Sequence, residues 1–276
     1  MFENIQFHPI PTRLLSEILE NPAYRSFDID LSGTYPGRLR VDSAFIGVGG
    51  FKTAQTGLLM LTPPTTSGLG STPHQDVVVK RPFFTPAGTA APASNAEQQP
   101  LNCRIARFAL MDELAKLHRE ANTLYWAQAL LKMTYDFIDR AVDQADVPPP
   151  FNIPRLRFVN AGLALAHSAP RPSVKGKAPC GTLCGVYLLE EKIHGGSAAF
   201  TKFIHNMDCG PSLDEDEEGY DIAEFLAFTQ HVQYVQTNKL VFISDYQGKY
   251  STLHPCMLTN LFYRKYDAPH RSTDPH

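Results

Sequence analysis

The sequence predicts an α+β fold, with a sheet-rich N-terminal part and a mixed C-terminal part, on three observations. Short apolar and β-branched runs dominate the early chain, one long helical periodicity follows, and the remainder reads as strands, then a helix, a strand and a loop. The 276 residues are 43% hydrophobic, enough to bury a full core and build one domain of two lobes.

Taken in order, the first informative stretch is Gly47-Val48-Gly49-Gly50-Phe51-Lys52, set between a short apolar run and the strand-like Leu58 to Leu61. Thr62 to Gln75 and Thr85 to Pro100 are poor in structure-forming residues and predict surface loops. They bracket Asp76-Val77-Val78-Val79-Lys80, a β-branched strand. Between Asp112 and Ala141, Leu114, Leu117, Ala121, Leu124 and Leu131 recur at the spacing of an amphipathic helix. After Pro148 to Pro150, strands are predicted at Leu156 to Val159 and Gly185 to Leu189, with a basic loop around Arg171 to Lys177 between them. Asp214 to Glu218 reads as a solvated acidic loop, Ile222 to Gln236 as a helix, and Lys239 to Ser244 as an apolar strand ending at Asp245.

A formal net charge of -3 lacks the basic excess that neutralises a phosphate backbone, which argues against nucleic acid as a partner. No apolar run reaches membrane-spanning length and no secretory h-region opens the chain, so a cytoplasmic protein with no membrane partner is expected. Five cysteines, irregularly spaced, predict reduced thiols; Cys180 and Cys184 have the spacing of half a zinc site without a second pair.

Four pieces carry chemistry. Gly47, Gly49 and Gly50 let backbone amides approach a polyphosphate without Cβ obstruction, although Gly-rich hairpins are also common in plain β structure. Lys80, closing an apolar strand, is a suitable point charge for nucleotide phosphates or a lysine snorkelling from the core. Either Glu113 or Glu120, on the long helix, could turn toward it. Val186 to Ile193 is a strand running into a polar connector, followed by Gly195-Gly196 and by Phe200 to Asn206. Finally, Leu240 to Gly248 is either a plain strand-end turn or a segment that delivers Asp245 and, two residues on, Gln247 to the same side, both hard oxygen donors suited to magnesium.

In this order and spacing, over roughly Phe45 to Pro255, the pieces resemble the alpha-type protein kinase family. The resemblance implies a two-lobed, protein-kinase-like fold, ATP and magnesium as ligands, and transfer of the γ-phosphoryl group to serine or threonine of a protein partner. It gives Lys80 the role of phosphate-binding lysine, Glu190, Glu191 and Ile193 that of adenine-contacting connector, and Asp245 and Gln247 that of the Asp-x-Gln-Gly magnesium pair. His231, in Ala227-Phe228-Thr229-Gln230-His231, resembles a family zinc ligand, but the further zinc ligands expected downstream are absent from this chain. His254 stands in Thr252-Leu253-His254-Pro255 where the family carries a catalytic aspartate, which implies reduced turnover, or a pseudokinase that binds a nucleotide or a protein without transfer. The organisation expected on this basis is an N-terminal extension over 1–40, a kinase N-lobe over 41–189 with loop insertions near 62–75 and 85–100, and a truncated C-lobe over 190–276.

Overall fold

The computed structural model describes residues 1–31, 33–86, 105–168, 181–193, 200–206, 209–251, 254–259 and 262–265. The chain divides into two compact units. The first comprises Met1–Thr12, Asn21–Tyr125 and Val159–Ser197, and the second Arg13–Glu20, Trp126–Phe158 and Ala198–His276.

The first unit is built on a closed antiparallel barrel. Its strands are β1 (Phe2–Pro9), β2 (Tyr35–Val48), β3 (Lys52–Leu61), β4 (Gln75–Pro82), β6 (Ala161–His167) and β7 (Leu183–Glu191), in the spatial order β1-β2-β3-β4-β7-β6. Alternation sends Ile5 and Phe7 of β1, Leu39 of β2, Leu59 of β3, Val77 and Val79 of β4, and Leu189 of β7 into one apolar cluster. Closure leaves no unpaired edge among these strands. Residues 1–40, expected as an extension, therefore hold one stave of the barrel, β1, and the start of a second, β2. Ile5 and Phe7 have the period-two spacing that buries one face of β1, and β1 pairs with both β2 and β6.

Two other expectations need correction. Thr62 to Gln75 is not wholly a surface loop, because Leu69 and Thr65 are buried and Leu69 joins the barrel cluster. Thr65 Oγ1 donates to Leu69 O at 3.0 Å, and Gly70 N–H donates to Gln75 Oε1 at 2.6 Å, which folds the segment back on itself. The expected strand at Leu156 to Val159 is reduced to β5 (Arg157–Phe158), and the longer β6 begins just after it. The second expected loop lies mostly, and the basic loop wholly, outside the described residues.

The long helix runs as α2 (Leu110–Asp143), with its residues through Tyr125 assigned to the first unit and the rest to the second. A shorter helix, α1 (Leu15–Glu20), buries Ile18 in the second unit. There, β8 (Thr201–Lys202), β10 (Gln247–Ser251), β11 (His254–Thr259) and β5 form one sheet, and β9 (Val241–Ser244) pairs with β12 (Phe262–Lys265). The predicted C-terminal helix is α3 (Tyr220–Gln236). Asn238 and Lys239, both at positive φ, end it, and Lys239 N–H caps Tyr234 O at 2.7 Å. That left-handed cap delays the strand expected from Lys239 until Val241. Among the described residues, no helix is long and apolar enough to cross a membrane.

His8 supplies a pH-dependent element of the barrel. It is buried, its Nδ1–H donates to Ile29 O at 3.0 Å, and its Nε2 is buried without a hydrogen bond among the described residues. Burial holds its pKa below the ordinary 6.5, against the opposing pull of the Ile29 carbonyl and Asp30; His167 lowers it further. The folded state thus favours neutral His8, so this stabilisation is complete above pH 6.5 and is lost as the pH falls toward and through the depressed value. Melting temperatures recorded across that acid limb should fall less steeply in His8→Gln than in the native chain. Equal slopes would show that His8 does not control the transition.

Candidate active site

In the first unit the hairpin joining β2 to β3 presents Gly49, Gly50 and Phe51 at its tip, with Gly49 N–H donating to Lys52 O at 2.9 Å. A Cβ at Gly50 would meet nothing within 4 Å, and one at Gly47 or Gly49 would make only ordinary contacts, at 4.0 and 3.6 Å. By contrast, a Cβ at Gly57 would come within 2.6 Å of Val79 and 2.9 Å of Arg40 O. Packing therefore requires glycine at 57 but not at the hairpin tip, where its effect is to leave the backbone amides unscreened.

Lys80 and Glu190 come together. They lie diagonally on one face of the paired strands β4 and β7, where Val78 stands opposite Glu190 and Lys80 opposite Leu188. The Lys80 Nζ to Glu190 Oε2 distance is 2.7 Å, with side-chain exposures of 12% and 8%. Glu190 and Glu191 end β7, and Ile193 follows two residues later; Glu191 Oε2 accepts from the Asn160 side-chain amide at 3.0 Å.

The expectation that Glu113 or Glu120 engages Lys80 is corrected. Glu113 instead grips Arg81, with Nε at 3.1 and 3.0 Å from the two carboxylate oxygens and an Nη2 distance of 2.9 Å. Glu120 pairs with Lys52. Strand alternation explains the change: Arg81 shares its face of β4 with the inward-facing Val79, whereas Lys80 faces the other way. Arg107, unremarked in the sequence, donates to Arg81 O at 3.2 Å, Pro82 O at 2.9 Å and Thr53 Oγ1 at 2.9 Å. Burial, and then the charge of Arg81, lower the Arg107 pKa.

In the second unit the second chemical cluster is held by buried polar side chains of α3. Gln230 Nε2 donates to Ile243 O at 2.7 Å, and Ile243 N–H donates to Gln233 Oε1 at 2.8 Å, fixing β9 to the helix through side-chain amides. Tyr246 is fully buried, stacks on Phe158 at 6.4 Å between ring centroids, and has its phenol pushed up to about 12 by burial. Between these anchors Asp245 adopts φ 61°, a left-handed conformation that aspartate tolerates better than most residues.

The buried Asp245 Oδ1 faces the Lys202 ammonium and accepts no other hydrogen bond among the described residues. Burial lowers the Lys202 pKa. Gln247 opens β10 directly opposite Lys202 of β8. The Asp245 carboxylate and a side-chain carbonyl two residues away are the hard donors that magnesium takes alongside phosphate oxygens, so these residues fit that ion. His254 opens β11, opposite Ser251 of β10. His231 is exposed on α3, and no group of three or more His, Cys, Asp or Glu side chains suited to a metal occurs among the described residues.

No family model matches the chain, and no curated protein does. Among solved structures it is similar to an alpha kinase from Entamoeba histolytica, at 17% identity and a TM-score of 0.53, covering 97% of this chain and 79% of that one. It is also similar to the alpha-kinase domain of myosin-II heavy chain kinase A in complex with adenosine, at 12% identity and a TM-score of 0.49, covering 96% and 81%. An inactive form of that domain with ATP matches at 12% identity and a TM-score of 0.48, covering 96% and 85%. The Entamoeba likeness shows the fold: this chain has the α+β fold of an alpha-kinase domain.

Proposed function

We propose that the chain is a two-lobed, cytoplasmic, alpha-type serine/threonine protein kinase that transfers the γ-phosphoryl group of ATP to a protein hydroxyl. The observation that carries this reading is the alpha-kinase fold, within which Lys80 lies on a barrel strand and Asp245-x-Gln247-Gly248 begins at the end of another strand. Lys80 holds phosphate charge, Gly47 and Gly50 offer backbone amides to the polyphosphate while the Gly49 amide closes the hairpin on Lys52 O, and Glu190, Glu191 and Ile193 meet the adenine. Asp245 and Gln247 hold magnesium, which neutralises charge on the phosphates when bound. Transfer in this chemistry rests on positioning and charge neutralisation rather than on a covalent enzyme intermediate. Purified chain incubated with magnesium, γ-labelled ATP and a mixture of basic proteins should label itself or a protein in the mixture; absence of label under conditions where ATP binds would exclude the kinase reading.

His254 in the expected acid's place favours a second reading, a pseudokinase that binds nucleotide without turnover. On that reading Mg-ATP raises the melting temperature by mass action while no transfer occurs. His254→Asp should then gain transfer. For the glycine hairpin, Gly50→Ala should leave the melting temperature unchanged, since its Cβ enters open space, yet weaken ATP binding several-fold. Unchanged ATP affinity would remove the hairpin from the nucleotide site.

A further inference from the structure

We propose that Lys202 is a resident counter-ion for Asp245, so that a divalent metal reaches Asp245 and Gln247 only by displacing the ammonium. The inference rests on the reading of that pair as the metal-holding residues.

Lys202 is placed by its backbone. Its strand, β8, pairs with β10 so that Lys202 stands opposite Gln247 and Thr201 opposite Gly248. The next two amides, Phe203 N–H and Ile204 N–H, both donate to Tyr246 O, at 2.9 and 3.3 Å. Ser244 Oγ donates to His205 O at 2.9 Å. Phe203 and Ile204 are fully buried, so the segment that carries Lys202 is tied to the residues on either side of Asp245. Its side chain is a third exposed, and its ammonium meets the better-buried Asp245 carboxylate.

Because the backbone is pinned and only the end of a flexible side chain makes the contact, the ammonium can withdraw to solvent without disturbing the strands. While it stays, it neutralises the carboxylate and repels a second cation; both effects weaken metal binding. Neither effect depends on a phosphate being present, so the competition is visible in the chain without nucleotide. For one partly exposed charge, the expected change on its removal is roughly ten-fold in metal affinity.

Mn²⁺ titrations of the full chain without nucleotide, followed by the electron paramagnetic resonance of free Mn²⁺, test this directly. Lys202→Met and Lys202→Gln should bind Mn²⁺ about ten-fold tighter than the native chain. Lys202→Arg, which keeps a cation, should bind no tighter. Asp245→Asn should abolish the site in the native and Lys202→Met backgrounds. If Asp245→Asn abolishes binding while Lys202→Met and Lys202→Gln bind equally or more weakly than the native chain, the counter-ion role is overturned and the metal reading stands. If Mn²⁺ binding survives Asp245→Asn, or no variant binds Mn²⁺, the metal reading fails and takes the inference with it.

Discussion

Glu113→Ala is expected to destabilise the first unit by about 3 kcal/mol, the lower end of what removal of one partner from a buried ion pair costs. Glu113 is wholly inaccessible and receives both Nε and Nη2 of Arg81. Arg107 lies close enough to Arg81 for their charges to oppose, and it is already tied to Arg81 O, Pro82 O and Thr53. Without the carboxylate, two guanidinium groups lose their shared counter-charge, and a cavity opens on the inward face of α2. Glu113→Gln keeps the shape and one acceptor oxygen, so it should lose less than the alanine variant. Urea unfolding gives the test: the midpoint should drop with little change in slope. A loss within about 0.5 kcal/mol, as for an ordinary surface substitution, would show that the pair contributes little.

Sequence periodicity revealed much of the framework and much less of the charge pairing. Leu117, Ala121, Leu124 and Leu131 are buried on α2, and Val77 and Val79 are buried on β4, because helix and strand periods determine which side chains face inward. β1 was missed as part of the barrel, although Ile5 and Phe7 already show its alternation; what places it is pairing with residues far along the chain, at Tyr35 to Arg40 and Gly162 to His167. Glu113 presents the same limitation. Its position on a helix is local information, but its choice of Arg81 over Lys80 depends on which face of β4 each cation occupies, and that follows from closure of the barrel. The Asp-x-Gln-Gly segment was conspicuous because its residue types are unusual at a strand end. Lys202 has no signature in the sequence, since a lysine between Phe200 and Phe203 has no distinctive spacing; only the β8 to β10 register puts it opposite Gln247.

Lys80→Met separates the structural work of that lysine from its proposed phosphate work. The substitution takes the Lys80 cation away from the Glu190 carboxylate, whose side chain is only 8% exposed. Stability should therefore fall by about 3 kcal/mol, and a weaker nucleotide response in that variant alone would be ambiguous. The double variant Lys80→Met with Glu190→Gln removes both charges and should recover most of the stability, because an uncharged pair of similar volume carries no desolvated ion. Because Glu190 is itself proposed to meet adenine, the double variant must be compared with Glu190→Gln alone, which isolates the lysine. If Lys80 holds phosphate, the double variant should bind ATP roughly ten- to a hundred-fold more weakly than Glu190→Gln, the range expected for loss of one charge-assisted hydrogen bond. Adenosine, which has no phosphate, should bind the two equally. Equal ATP affinities would confine Lys80 to its bond with Glu190 and leave the phosphates to other groups. Weakening of ATP and adenosine alike would instead mean that the substitution had altered the shape of the barrel face that carries both residues.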